Sequence, residues 1–261
     1  GPPRFARSAR PARFARSAPD QGRPLAFALR RGYPWGMRVF VAGATGATGQ
    51  VLVPLLAEAG IEPVLHVRPQ TAARSPLGAD PRARVFDLAD SAALEAAIRD
   101  CDAVISLVGT MRKRFGTGDT YESSDVGSTR QLVAAAGAAG VPRMLLLSSV
   151  GAGGSGAYLQ MKGECERILR ESGLRWTIFR PSALASPASA PEGSHGRRWV
   201  PPGTTALTAG LRRLPGLGGL VAAYGAIPIP VLAHAMVRVL QAPHDGVILQ
   251  GNELWEAGST G

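Results

Sequence analysis

Tyr158 and Lys162 stand four residues apart, in the run Y-L-Q-M-K at the start of a stretch with helical patterning. Residues at i and i+4 share one face of a helix, so the phenol and the ammonium are expected to point the same way. A nearby cation favours phenolate, and a phenol so tuned can pass a proton to or from a carbonyl or alcohol oxygen. The ammonium can also hold ribose hydroxyls. Such a pair also occurs by chance on many helices. Its weight comes from the residues before it: a strand that ends in Ser148-Ser149 and, far upstream, a glycine turn.

That turn lies in M-R-V-F-V-A-G-A-T-G-A-T-G-Q, Met37 to Gln50. Arg38 to Ala42 is mostly apolar and β-favouring. Glycines follow at 43, 46 and 49, and Val51, Leu52, Leu55 and Leu56 then recur at helical spacing. A helix N-terminus has unpaired N–H groups and partial positive charge, and therefore holds anions. Glycines let the backbone turn tightly and let a pyrophosphate approach. The spacing is G-x-x-G-x-x-G, and its place between a strand and a helix is the context a dinucleotide site requires.

The positioning elements follow in alternation. A second strand is expected at Glu62–Val67, then Arg68-Pro69. The end of this strand lies beside the adenosine ribose in a Rossmann-type unit. An acid there suits the 2′-hydroxyl of NAD, an arginine the 2′-phosphate of NADP. Arg68 occupies that position, which predicts NADP(H) in preference to NAD(H). Strands are further expected at Arg84–Leu88, Ala103–Val108, Met144–Leu147, Arg175–Phe179 and Gly246–Gln250. Helices are expected at Ser91–Arg99 with Ser91 as N-cap, at Tyr121–Ala139 ending at Gly140, at Tyr158–Glu171 and at Pro230–Gln241. A flexible glycine loop, 151–157, joins Ser148-Ser149 to the helix of Tyr158. The alternation predicts an α/β fold: a Rossmann-type, doubly wound parallel sheet with a small substrate-side region towards the C-terminus.

Charge is unevenly spread. Of 29 basic and 19 acidic side chains, residues 1–36 hold eight arginines and one acid. The remaining 225 residues are only mildly basic, so no nucleic-acid binding is expected of the folded domain. The first segment repeats R-F-A-R-S-A at 4–9 and 13–18 and lacks a core-forming pattern. It reads as an organellar transit peptide, as a basic arm for phosphates, or as a disordered lead-in before a single domain at 37–261. Localisation is accordingly expected to be cytoplasmic, or organellar if the segment is a transit peptide. Cys101 and Cys165 are isolated, and His66, His195, His234 and His244 are scattered, so thiols and no metal site are expected. The basic loop Met111-Arg112-Lys113-Arg114 reads as solvated, with contact to an acidic ligand as the alternative. Leu214–Val237 has 24 residues without formal charge, but four glycines and three prolines argue against a membrane-spanning helix. Residues 183–227 loosen into Pro, Gly and Ala and are expected to line the substrate pocket.

Together these pieces resemble the atypical short-chain dehydrogenase/reductases, the NAD(P)-binding group related to NmrA-like and Tat-interacting oxidoreductase-like proteins. The matching runs are G-A-T-G-A-T-G (43–49), D-L (87–88), S-L-V-G-T (106–110), S-S-V-G-A (148–152), Y-L-Q-M-K-G-E (158–164) and W-T-I-F-R-P-S (176–182). They occur in the family's order across about residues 37–252. The resemblance implies that Gly43, Thr45, Gly46 and Gly49, with Ala44 and Thr48 in the same turn, bind the pyrophosphate, and Arg68 the 2′-phosphate. It places Asp87 and Leu88 by the adenine, Val108 and Gly109 by the adenosine ribose, and the backbone at Pro181-Ser182 against the nicotinamide. Tyr158 would be the acid/base and Lys162 its partner on the nicotinamide ribose. Ser148 or Ser149 would polarise the substrate oxygen, although both lie closer to the tyrosine than the family's serine. Asp125 stands where many relatives carry the asparagine of a proton relay. The implied activity is hydride transfer between NADP(H) and a carbonyl or alcohol. Some members of the group instead bind cofactor as sensors or as assembly proteins. The partner is then a small-molecule substrate or a protein, and the chain a monomer or a homodimer.

Overall fold

The computed structural model describes residues 36–109, 125–185, 225–242 and 245–259. Met37–Ala42 forms β1. Val39 and Val41 enter the core on one face, Phe40 and Ala42 on the other, all fully buried. A strand covered on both faces needs such a continuous apolar run. The chain continues through α1 (Ala47–Glu58), β2 (Ile61–Val67), the short α2 (Pro69–Ala72), a 3-10 turn (Pro76–Ala79), β3 (Ala83–Val85), α3 (Ser91–Ile98) and β4 (Ala103–Ser106). Next come α4 (Gly127–Ala139), β5 (Arg143–Leu147), α5 (Ala157–Arg170), β6 (Arg175–Arg180) and β7 (Ala183–Ala185). The last described elements are β8 (Ala226–Pro228), α6 (Ile229–Gln241), β9 (Val247–Gln250) and α7 (Gly251–Gly258).

Seven strands form one parallel sheet in the order β3-β2-β1-β4-β5-β6-β9. One face is covered by α1, α6 and α7, through Leu52, Leu56, Leu232, Met236, Leu254 and their neighbours. The other is covered by α3, α4 and α5, through Leu94, Ile98, Leu132, Met161, Cys165 and Leu169. This is the α/β, doubly wound Rossmann-type architecture that the alternation predicts. The strand order reverses between β1 and β4, and ligands of open α/β sheets sit beyond the carboxyl ends of the strands at that point. Ala42 of β1 is paired there with His66 of β2 on one side and Ser106 of β4 on the other. Pro63 is tolerated inside β2 because the pairing with β3 begins only at Leu65, which leaves the strand an edge at the proline.

Several local expectations need correcting. The first helix begins at Ala47, so Thr48 and Gly49 lie inside its first turn. β3 stops at Val85, and Asp87-Leu88 belongs to the turn that follows. The N-cap of α3 is Asp90, whose carboxylate accepts from the Ala93 N–H at 3.0 Å; Ser91 is the first helical residue. β4 ends at Ser106. The helix expected from Tyr121 is described only from Asp125, where one π-type turn leads into α4. The basic loop 111–114 lies outside the described residues. The 183–227 region is not irregular at its two ends, because β7 and β8 pair in parallel, Ala183 with Ala226, as a separate two-stranded sheet. α7 was not anticipated: its Leu254 and Trp255 pack under α6, but G-N-E-L-W-E-A-G is too short for its periodicity to be read from sequence.

Candidate functional site

The glycine turn closes against the end of β4. Gly43 has a φ of +89°, and a Cβ there would lie 3.0 Å from the Leu107 carbonyl carbon and oxygen, so only glycine fits. The Gly46 N–H donates to the Gly43 carbonyl at 3.0 Å, and Gln50 N–H then makes the first helical bond to Gly46 at 2.9 Å. A Cβ on Gly49 would fall 2.4 Å from the Ala44 carbonyl oxygen. Gly49 therefore lets α1 pack onto its own turn. The N-cap of α1 is Gly46, which has no side chain with which to cap the helix. The residues present thus fit a pyrophosphate: a turn of closely packed glycine backbone that carries no bulky side chain, at a helix end whose N–H groups favour anions.

Arg68 follows β2 directly, two residues beyond the partner of Ala42, and so lies at the same sheet edge as the turn. Its carbonyl accepts from Thr71 and Ala72 at 2.8 and 3.0 Å, which fixes the backbone from which the guanidinium extends. Asp87 uses its carboxylate to cap a turn, accepting from Ala89 N–H at 2.9 Å, while Leu88 is buried in the core. Behind them His66 is buried, hydrogen-bonded to the Phe86 carbonyl at 2.9 Å and edge-on to the Phe86 ring. Burial pushes the His66 imidazole below its usual value; the Phe86 hydrogen bond and Asp87 oppose this more weakly. The unfolded chain therefore binds this proton first, and the stability His66 gives above about pH 6.5 falls as the medium becomes more acid. The unfolding free energy read from urea titrations is expected to drop between pH 7.5 and 5.5, by at most about 1.4 kcal/mol per pH unit from this residue. His66→Phe should flatten the drop; an equal drop in both proteins would exclude the assignment.

The Tyr–Lys helix enters from the same edge. Tyr158 sits in the first turn of α5 and is 39% exposed. Lys162, one turn deeper, is 4% exposed. The two share a helix face, but only the phenol reaches the surface. The Lys162 ammonium is 3.4 Å from three acceptors: the carbonyls of Val108 and Leu147 and Oδ1 of Asp125. Asp125 is itself buried, and its carbonyl accepts from the Thr129 hydroxyl at 2.8 Å. Lys162 thus joins the ends of β4 and β5, and the Cβ position of Gly109 lies 3.8 Å from its Nζ. The structure therefore brings Val108, Gly109 and Lys162 together.

The two serines separate. Ser148 turns into the protein and its hydroxyl donates to Glu166 of α5. Glu166, buried, also receives Nε and Nη2 of Arg180 at 2.8 and 2.6 Å. This fork raises the Arg180 guanidinium above its ordinary value, against a smaller opposing effect of burial. Among the described residues, the Ser149 hydroxyl makes a 3.4 Å contact with the Val150 carbonyl and meets no carboxylate. The Pro181 carbonyl accepts from Val150 N–H at 3.0 Å, and the Ser182 hydroxyl donates to the Gly225 carbonyl at 2.5 Å. Pro181-Ser182 thus lies against the loop after β5 and ties β7 to β8. The glycine loop 151–157 is docked rather than loose. Gly153 N–H donates to the Leu159 carbonyl at 2.7 Å, and a Cβ on Gly163 would lie 2.6 Å from Gly153. Glu166 and Arg180 were missed as site-forming residues. The spacing Tyr158, Lys162, Glu166 continues one helix face inward and is the signal that could have found the first.

Burial pushes the Cys101 thiol up to about 12 and raises Cys165, so neither is a poised nucleophile. Among the described residues, no group of three or more His, Cys, Asp or Glu could hold a metal ion, and no helix is long and apolar enough to cross a membrane.

The model of a family described as NAD(P)H-binding matches residues 43–205, from the first glycine of the turn past β7. The chain belongs to this NAD(P)H-binding family. With its sheet order and Tyr–Lys helix, it is an atypical short-chain dehydrogenase/reductase-like protein. A (4-alkanoyl-5-oxo-2,5-dihydrofuran-3-yl)methyl phosphate reductase from Streptomyces griseus is 32% identical over 151 residues, 57% of this chain and 48% of that protein. Protein FMP52-1, mitochondrial, from Scheffersomyces stipitis is 31% identical over 156 residues, 57% of this chain and 67% of that protein. The chain thus spans about half the length of the first curated relative and about two thirds of the second. A putative NAD-dependent epimerase/dehydratase from Bacillus halodurans has the same fold, with a TM-score of 0.59 at 22% identity over 81% of this chain and 92% of that one.

Proposed function

We propose that this family member is an NADP(H)-dependent oxidoreductase acting on a carbonyl or alcohol. The observation that carries the reading is the meeting of its two motifs. Buried Lys162, four residues after Tyr158, reaches the carbonyl of Val108, the residue next to Leu107, against which the glycine turn closes. In this reading Gly43, Ala44, Thr45, Gly46, Thr48 and Gly49 hold the pyrophosphate, Asp87 and Leu88 flank the adenine, and Arg68 takes the 2′-phosphate. When bound, the nicotinamide supplies or accepts hydride. Tyr158 gives or takes the proton at the substrate oxygen, Ser149 orients that oxygen, and Lys162 holds the ribose. Pro181 and Ser182 border the nicotinamide end. The reductase among the relatives supports this chemistry. A second reading, a cofactor-binding sensor or accessory protein, draws on the Asp125–Lys162 pair, which compensates the lysine charge without cofactor. The mitochondrial relative supports an organellar address as the alternative to the cytoplasm.

Calorimetric titration of NADPH and NADH tests the reading. NADPH is expected to bind more tightly, by about 10- to 100-fold for a charge-assisted contact to the 2′-phosphate. Arg68→Ala should erase most of that difference and leave NADH binding nearly unchanged. Equal affinities in the unaltered protein would remove the role of Arg68; binding of neither would remove the whole reading.

A further inference from the structure

Resting on the cofactor reading just given, we propose that His66 is a positioning residue for the adenosine half of the site. Its imidazole ties the Asp87-Leu88 turn to the end of β2 and so sets the gap between that turn and Arg68. In the register of β2 and β3, His66 is paired with Arg84 and Val67 with Val85. Arg68 and Phe86 are therefore level at the edge of the sheet, just past the last paired residues. The backbone bond there is long: the Phe86 N–H meets the Val67 carbonyl at 3.3 Å. The side chain makes the shorter link. Nε2 of His66 lies 2.9 Å from the Phe86 carbonyl oxygen, immediately before Asp87.

This link has a fixed direction. A carbonyl oxygen only accepts, so Nε2 carries a ring proton and donates it. The ring is held between two others: it lies edge-on to Phe86, 4.8 Å between centroids, and 6.1 Å from the fully buried Phe40. The turn beyond is closed by its own bonds. Asp90 N–H donates to the Asp87 carbonyl at 2.8 Å, and Ala89 N–H to the Asp87 carboxylate at 2.9 Å. It therefore shifts as a unit, pinned at two points: Leu88 in the core and Phe86 on His66. In the cofactor reading, adenosine 2′-phosphate lies between this turn and Arg68. One strand end then serves both sides of it, with His66 fixing the turn and Arg68 meeting the phosphate.

Adenosine 2′,5′-bisphosphate, which carries the adenosine half alone, and NADPH are titrated calorimetrically into the full chain. His66→Phe keeps a ring and removes the donor. It is expected to weaken both ligands by the same factor, about tenfold, the equivalent of one lost hydrogen bond. His66→Gln restores an N–H donor and should return both to within about threefold of the unaltered protein. A second measurement needs no variant to fold. In the unaltered, nitrogen-labelled protein, NMR should find the proton on Nε2 of the histidine that contacts the Phe86 ring. The bisphosphate should slow exchange of that proton with water about tenfold or more, because the occupied turn opens less often. Undiminished affinity in His66→Phe, unequal losses for the two ligands, no rescue by glutamine, or exchange indifferent to the bisphosphate would each overturn the proposal and leave the oxidoreductase reading in place. Failure of the unaltered protein to bind either ligand would overturn both.

Discussion

Tyr158→Phe is expected to lower carbonyl-dependent NADPH oxidation by about 100- to 10,000-fold, the usual contribution of a positioned proton donor, while NADPH still binds. The geometry explains why the loss should fall on turnover. Tyr158 is 39% exposed at the start of α5, whereas Lys162, which meets Val108 beside the glycine turn, is buried one turn deeper. Removing the phenol oxygen leaves that lysine and its three acceptors untouched. The helix keeps its start, because Gly153 is bonded to the Leu159 backbone and not to a side chain. The measurement is the decay of nicotinamide absorbance with a carbonyl compound that the unaltered protein reduces, together with a calorimetric NADPH titration of both proteins. Turnover within a few-fold of the original would remove Tyr158 as the acid/base and favour the sensor reading. Loss of NADPH binding as well would make the residue structural.

The elements of the sheet were legible because each strand is a short apolar run bounded by glycine, proline or charge. Patterning of that kind states what a strand must bury. It does not state where hydrogen bonding to the next strand stops, which is why β3 and β4 each end before the apolar run does. The glycine turn was legible for a different reason: its residues are required by backbone geometry at Gly43 and by close approach at Gly49. The fates of Ser148 and Ser149 were not legible. Adjacent residues at a strand end point to opposite sides, and only the packing of α5 decides that Ser148 meets Glu166. Asp125 was visible as a departure from the family pattern, but its partner lies 37 residues away, a distance no local periodicity can span. The same is true of β7 and β8, whose pairing joins residues 183 and 226.

The same unpredicted network sets the largest expected effect on stability. Arg180→Met leaves the Glu166 carboxylate, at 3% side-chain exposure, with the Ser148 hydroxyl in place of two guanidinium bonds. Breaking a buried pair from one side costs about 3–5 kcal/mol, and the buried partner left behind here is the charged one. Glu166→Gln is expected to cost less, about 1–2 kcal/mol, because the Arg180 side chain keeps 20% of its surface and can be hydrated. The asymmetry is the test, read from urea unfolding of the two single variants at pH 7. A larger loss for Glu166→Gln would mean that Ser148, and not the ion pair, anchors the end of β5. The double variant Arg180→Met/Glu166→Leu should recover much of the loss, since no charge is then left buried. It should also free Ser148 from its carboxylate. If Ser149 is the serine that serves the substrate, the recovered protein keeps its cofactor affinity and most of its turnover. A protein as stable as the original but inactive would instead place the Ser148–Glu166–Arg180 chain in the chemistry itself.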